Sequence, residues 1–227
     1  MKKTLDFQLL VIYWELRNKM NSIPISYMTP PEPSPEKLNF TQKKSNIPGS
    51  MAIWFAILAE MSEFAIMFIV YFLAKVHNPE LFYEGPTKLN TLAGTTNTLI
   101  MLTSSFFVVR AVMAIRENKR KQSANWLWGA VACGIIYLII KVFEYQWNAS
   151  QGLDTETNIF YGVYYYVTFN HFLHVGWGSA GLIWVIYRIN TDIYTATEHE
   201  GLINMAVYWH MIDLAWITIF PLLYVIR

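Results

Sequence analysis

The chain has 227 residues, of which 54% are hydrophobic and only 15% charged, with a formal net charge of +1. Soluble proteins carry about 25% charged residues, so this composition excludes an ordinary water-facing domain, and the near-zero balance gives no case for a nucleic-acid partner. The single cysteine, Cys133, excludes an internal disulfide and any multi-cysteine metal site.

In chain order, the first stretch is basic and only partly apolar. Lys2 and Lys3 precede LDFQLLVIYWEL, in which Asp6, Gln8 and Glu15 interrupt the apolar run, and no small-residue cleavage site follows. A retained cytoplasmic tail is expected, with Leu5 to Leu16 as a short helix lying on the membrane or on a partner. The segment TPPEPSPE, residues 29–36, is a proline-rich linker with no means of building a core. The sequence therefore divides into a tail, residues 1–49, and a membrane domain, residues 50–227.

From Ser50 onward the pattern changes. A membrane helix needs ~20 mostly apolar residues to cross ~30 Å of hydrocarbon. Five segments meet that length, at about 51–76, 89–116, 125–147, 159–188 and 202–226, so the expected fold is all-α, a polytopic bundle of five transmembrane helices. The connections are short and leave no room for a soluble catalytic domain.

Lysine and arginine placement gives a direction. The tail carries Lys2, Lys3, Arg17, Lys19, Lys37, Lys43 and Lys44, and RENKRK at 116–121 is also basic. The connections HNPELFYEGP and NASQGLDTETN hold carboxylates but neither lysine nor arginine. The N-terminus is expected in the cytoplasm and the C-terminus in the periplasm. Trp54, Trp126 and Trp128 then fall near the inner interface, and Trp147, Tyr161 and Tyr224 near the outer one. Gly94 with Thr98, and Gly178 with Gly181, mark close helix contacts, and Pro221 a kink in the last span.

Three pairs of ionisable residues lie near mid-depth: Glu60 and Glu63, His171 and His174, His210 and Asp213. Each has i,i+3 spacing, so each puts two polar groups on one helix face. A charge at the bilayer centre costs ~3 kcal/mol or more, so such groups turn inward and find partners. One buried network of all six is expected. A structural network that fixes the packing is favoured; a metal site, of the kind inward carboxylates and histidines build in helical bundles, and a proton or ion path share the remainder. No Glu-x-x-His occurs, which loosens the match to di-metal centres. Lys141 and Glu144 are expected as a snorkelling, self-paired couple at the outer interface, and Arg110 as a contact to lipid phosphate or a neighbouring subunit. The threonines of LNTLAGTTNTLIMLTSS are expected to bond backbone carbonyls. A small proton-coupled transporter fits poorly, because no internal repeat is present.

Several of these stretches, in order, resemble subunit III of haem–copper respiratory oxidases, from about Pro48 to Arg227: AEMSEF with Glu63, LNT at 89–91, EY at 144–145, HFLHVGWG at 171–178, and YWHMIDLAW at 208–216. The chain lacks the first two helices of seven-helix members, and Phe169 and Phe172 stand where members often have glycine. TNTLIMLTSS and IFPLLY are similar to a five-helix subgroup associated with nitric oxide reductase in denitrification. The resemblance implies a non-redox accessory subunit of a terminal oxidase in the respiratory chain, in a bacterial inner membrane. It implies that haem and copper reside in subunits I and II, and that this chain braces the catalytic subunit, holds phospholipid and supports proton uptake. It implies buried polar roles for Glu63, His171, His174, His210 and Asp213. The alternatives are the nitric oxide reductase-associated role and a stand-alone membrane di-metal enzyme.

Overall fold

A computed structural model describes residues 48–226 of the chain. The expected helix at 5–16 and the proline-rich linker at 29–36 lie outside the described residues. Six α-helices follow one another: α1 (Met51–His77), α2 (Pro79–Lys88), α3 (Thr91–Arg116), α4 (Arg120–Ser150), α5 (Ile159–Asn190) and α6 (Glu200–Phe220). A π-helical turn, Pro221–Val225, closes the last of them. No strand occurs among the described residues.

Local chemistry sets the helix starts. Ser50, Asn90 and Asn158 each accept a backbone N–H of the first turn, from Ile53, Ala93 and Tyr161, which satisfies donors that have no partner inside the helix. Asn204 on α6 accepts the Ser50 N–H at 2.8 Å and so ties the start of α1 to the last helix. The α2 helix was expected as a loop. Pro79 opens it at a first-turn position, where a missing N–H costs nothing, and Phe82, Gly85 and Pro86 bury against the bundle.

Four helices are long and apolar enough to cross a membrane: α1, α3, α4 and α6 with its π-turn. The expected count was five. The remaining one, α5, has 32 residues and ample length, but its middle carries Asn170, His171, His174, Gly176 and Gly178 among tyrosines. Those polar groups are tolerated because α5 is packed against α1, α2, α4 and α6. The α6 helix is its counterpart at the centre, touching α1, α3 and α5.

The core is aromatic and hydrogen-bonded across helices. Trp209 and Trp216 of α6 are fully buried. The Trp209 indole donates to Ser104 Oγ at 3.1 Å, and Ser104 donates in turn to the Ala130 carbonyl, linking α6, α3 and α4. Trp216 donates to Thr98 Oγ1 at 2.9 Å. Small residues permit these approaches: Gly94 lies under Phe220 and Tyr224, Gly178 under Ile212 and Trp209, and Gly181 under Met205. Thr95, Thr96, Thr98 and Thr103 donate to the carbonyl four residues back, as their composition predicted. After Pro221, Ile226 N–H reaches back five residues to the Pro221 carbonyl at 2.8 Å, and Tyr71 of α1 donates to the Leu222 carbonyl at 2.7 Å. The irregular turn is thereby satisfied from inside the protein, as hydrocarbon requires.

Candidate functional site

The six expected network residues do not form one network. They fall into three clusters, and a fourth polar centre arises where none was expected.

The first cluster joins α1 to α5. His174 Nδ1 lies 2.8 Å from the Asn170 carbonyl, which only accepts, so Nδ1 carries a proton. His174 Nε2 lies 2.6 Å from Glu60 Oε2. Either an acid donates to the imidazole or an imidazolium donates to the carboxylate; in both cases the pair holds one further proton between them. Glu63 Oε1 accepts from Asn170 Nδ2 at 2.6 Å. Oxygen and nitrogen atoms of Glu60, Glu63 and His174 all lie within 4.8 Å of one another, a spacing that could also hold a metal ion. The expectation that these groups are buried is corrected here: Glu63 is exposed, and Glu60 and His174 are partly covered. The i,i+3 spacing put Glu63 on the rim of the α1–α5 contact instead of inside it.

His171, although one turn from His174, belongs elsewhere. Its Nε2 lies 3.1 Å from the Ile212 carbonyl and so donates; its Nδ1 lies 3.0 Å from the Tyr137 hydroxyl and accepts. The ring is fully buried and packs beside Trp216 and Tyr137. Both nitrogens are committed, which locks α5 to α4 and α6.

The third cluster joins α6 to α3. His210 Nδ1 lies 2.8 Å from Ser105 Oγ and 3.6 Å from Asp213 Oδ2. A separation of 3.6 Å is not a hydrogen bond. Asp213 is 4% exposed, and neither carboxylate oxygen has a hydrogen-bond partner among the described residues.

The fourth centre corrects the reading of Lys141 and Glu144. They pair at 3.2 Å as expected, but both side chains are 0% exposed, so neither is a lipid or interface contact. Tyr224 donates to Glu144 Oε1 at 2.6 Å and Tyr164 donates to the same oxygen at 2.8 Å. Lys141 Nζ reaches Tyr224 Oη at 2.8 Å and lies over the rings of Tyr145, Tyr164, Trp216 and Tyr224. A carboxylate, two hydroxyls and four aromatic faces thus replace water around one ammonium. The physical reason for the burial is the helix face. Ala130, Gly134, Tyr137, Lys141, Glu144 and Asn148 are all buried on α4 at spacings of three and four. Tyr224, expected at the outer interface, is buried with them. Arg110 lies 5.4 Å from the Trp126 ring centre, a cation–π contact within the chain.

Sequence reasoning missed Ser105, Tyr137, Tyr164 and Asn170 as polar partners. Only Asn170 carried a signal, as the residue before the paired histidines.

Residues 46–226 match the family model for cytochrome c oxidase subunit III. Among curated proteins, the chain is 32% identical over 171 residues to a cytochrome c oxidase subunit 3 of Thermostichus vulcanus, covering 75% of this chain and 83% of the relative. It is 32% identical over 171 residues to the subunit 3 of a Synechocystis strain, covering 75% and 72%. To a probable cytochrome c oxidase subunit 3 of Mycobacterium tuberculosis it is 27% identical over 175 residues, covering 77% and 85%.

Proposed function

The chain belongs to the cytochrome c oxidase subunit III family, and on that premise we propose that it serves as the accessory subunit of a haem–copper oxidase in a bacterial inner membrane. The observation that carries this is the extent of the family match, 46–226, which takes in all six helices and every polar cluster. The relatives' names do not favour the nitric oxide reductase-associated subgroup or a stand-alone di-metal enzyme.

In this role the chain has no redox centre of its own; haem and copper sit in the partner subunits. Its own chemistry is hydrogen bonding and proton holding. His171, with both nitrogens committed, and Lys141 with Glu144 brace the bundle. The Glu60–His174 pair, partly open at the side of α1 and α5, is the group suited to take up or release a proton beside the catalytic subunit. The fifth helix α5 crosses the membrane too. Its outward stripe of Ile159, Tyr166, Leu173, Trp177 and Trp184 supports this, being apolar or aromatic along its length. The N-terminus is cytoplasmic and the C-terminus periplasmic, the direction given by the basic tail and the basic 116–121 connection. Phospholipid covers the remaining outward apolar residues.

The test is purification from native membranes in mild detergent, with haem spectra and total metal analysis on the same sample. Haem and copper arriving with larger partner subunits is the expected result. Stoichiometric iron without haem in the isolated chain would overturn the accessory role and make the Glu60–Glu63–His174 cluster a metal centre.

A further inference from the structure

Three tyrosines lie in a row that leads from the rim of the bundle to its interior. Tyr165 is partly buried and donates to the Leu153 carbonyl, in the connection between α4 and α5, at 2.7 Å. Its ring centre is 5.1 Å from that of Tyr164. Tyr164 and Tyr224 are enclosed, with ring centres 5.9 Å apart and hydroxyl oxygens 3.2 Å apart. Aromatic rings this close exchange an electron readily.

What differs along the row is the acceptor of each phenolic proton. A phenol that loses an electron becomes a strong acid. The electron therefore leaves most easily where a base stands within hydrogen-bond reach of that proton. Tyr165 has only an amide carbonyl, which accepts a hydrogen bond but does not keep a proton. Tyr224 and Tyr164 both donate to Glu144 Oε1, at 2.6 and 2.8 Å, and a carboxylate keeps the proton it takes. Lys141 Nζ donates to the Tyr224 oxygen at 2.8 Å, a bond that remains when the phenol becomes a phenoxyl radical. It also leaves the ammonium a partner while Glu144 is protonated. An oxidising equivalent that reaches Tyr165 thus runs downhill to the buried pair, away from lipid.

We propose that Tyr164, Tyr224 and Glu144 form a redox-active tyrosine site that takes up an oxidising equivalent from lipid peroxyl radicals, with Tyr165 as the entry. A peroxyl group is polar and rises toward the headgroups, the depth at which Tyr165 meets the connection between α4 and α5. Tyr165 gives its hydrogen atom to the peroxyl radical: the phenolic O–H bond breaks and the O–H bond of a lipid hydroperoxide forms. An electron then passes from the buried pair to the Tyr165 phenoxyl, which becomes a phenolate and takes a proton from water at the connection. The pair's own phenolic proton moves to Glu144. One radical in the acyl phase has become one hydroperoxide and one enclosed phenoxyl radical. The inference goes beyond the accessory role and does not depend on it, since every residue it uses belongs to this chain.

The experiment uses the full chain, with the subunits that accompany it, in nanodiscs of a polyunsaturated phosphatidylcholine. A lipid-soluble azo initiator under oxygen supplies peroxyl radicals, and samples frozen at intervals are read by electron paramagnetic resonance. A 3-fluorotyrosine is placed at one position at a time. Its fluorine splits the signal of the ring that bears it and leaves the hydroxyl in place. The expected result is a tyrosyl signal split by the label at Tyr224 or Tyr164 and not by the label at Tyr166, which is 63% exposed. Splitting from Tyr165 or Tyr166 alone, or lipid hydroperoxide formed with no tyrosyl signal, overturns the proposal. In a second measurement, Tyr165→Phe is expected to abolish the split signal of the Tyr224 label at an unchanged circular dichroism. Survival of that signal would overturn Tyr165 as the entry.

Discussion

Lys141 and Glu144 show how a single residue's environment decides its worth. At a water-facing interface such a pair contributes about 0–1 kcal/mol. Inside the bundle the desolvation of each ion costs several kcal/mol, and the tyrosine hydroxyls, aromatic faces and mutual attraction offset it. Removing one member leaves the other uncompensated. Glu144→Gln is therefore expected to destabilise the folded chain by about 3–5 kcal/mol, and Tyr224→Phe, which deletes one donor to Glu144, by about 1–3 kcal/mol. The double change Lys141→Met with Glu144→Gln should cost less than Glu144→Gln alone. Thermal unfolding in lipid nanodiscs would rank the three. A double variant less stable than the single would mean that the hydroxyl and aromatic faces around Lys141 hold its ammonium even without Glu144. Glu63→Gln is the contrasting case. Its position is exposed and a glutamine oxygen can still accept from Asn170, so unfolding midpoint and oxidase activity should stay close to those of the parent chain.

At the scale of helices, two glycines two residues apart make opposite demands. A Cβ at Gly178 would sit 2.8 Å from Ile212 Cδ1 and 3.0 Å from the Trp209 ring, both buried on α6. A Cβ at Gly176 would meet nothing within 4 Å. Gly178→Ala is expected to cost about 1–3 kcal/mol by overpacking, whereas Gly176→Ala should be neutral or stabilise by up to about 1 kcal/mol through helix propensity. Equal midpoints for the two variants would sink the claim that α5 and α6 approach at Gly178. The sequence carried most of this level: apolar length placed α1, α3, α4 and α6 to within a few residues, and the small residues pointed to the contacts. It did not carry α2, because PELFYEGPTK has low apolarity and two prolines, and its burial comes from Phe82 meeting Tyr71 and Phe160. Nor did it carry the division of the polar residues. Spacing of i,i+3 fixes a common face to within about 60°, and that margin separates His171, turned to α6, from His174, turned to α1. For Lys141 the signal was present but unread. The buried face running from Ala130 through Gly134 and Tyr137 continues straight onto it.

Across the whole molecule, the family match and the compact packing begin at nearly the same place. The match starts at residue 46 and the compact unit runs Ile47–Arg227. Within that unit the starts of α1, α3 and α5 are capped by side chains, and most buried polar side chains find partners, the Asn97 amide and the Asp213 carboxylate being exceptions. If residues 47–227 are a self-sufficient domain, the basic, proline-containing segment before them has another duty. A chain initiated at residue 47 is then expected to insert, to keep its helical circular dichroism and unfolding midpoint, and to retain a haem-bearing partner through purification. Retention of fold with loss of the partner would make the tail a docking element. Loss of the fold itself would place the tail inside the domain and move the boundary toward the N-terminus. The basic residues Lys37, Lys43 and Lys44 lie just ahead of α1, so a third result is informative as well. A truncated chain that folds but inserts in both directions would show that these charges, more than the 116–121 connection, set the direction of insertion.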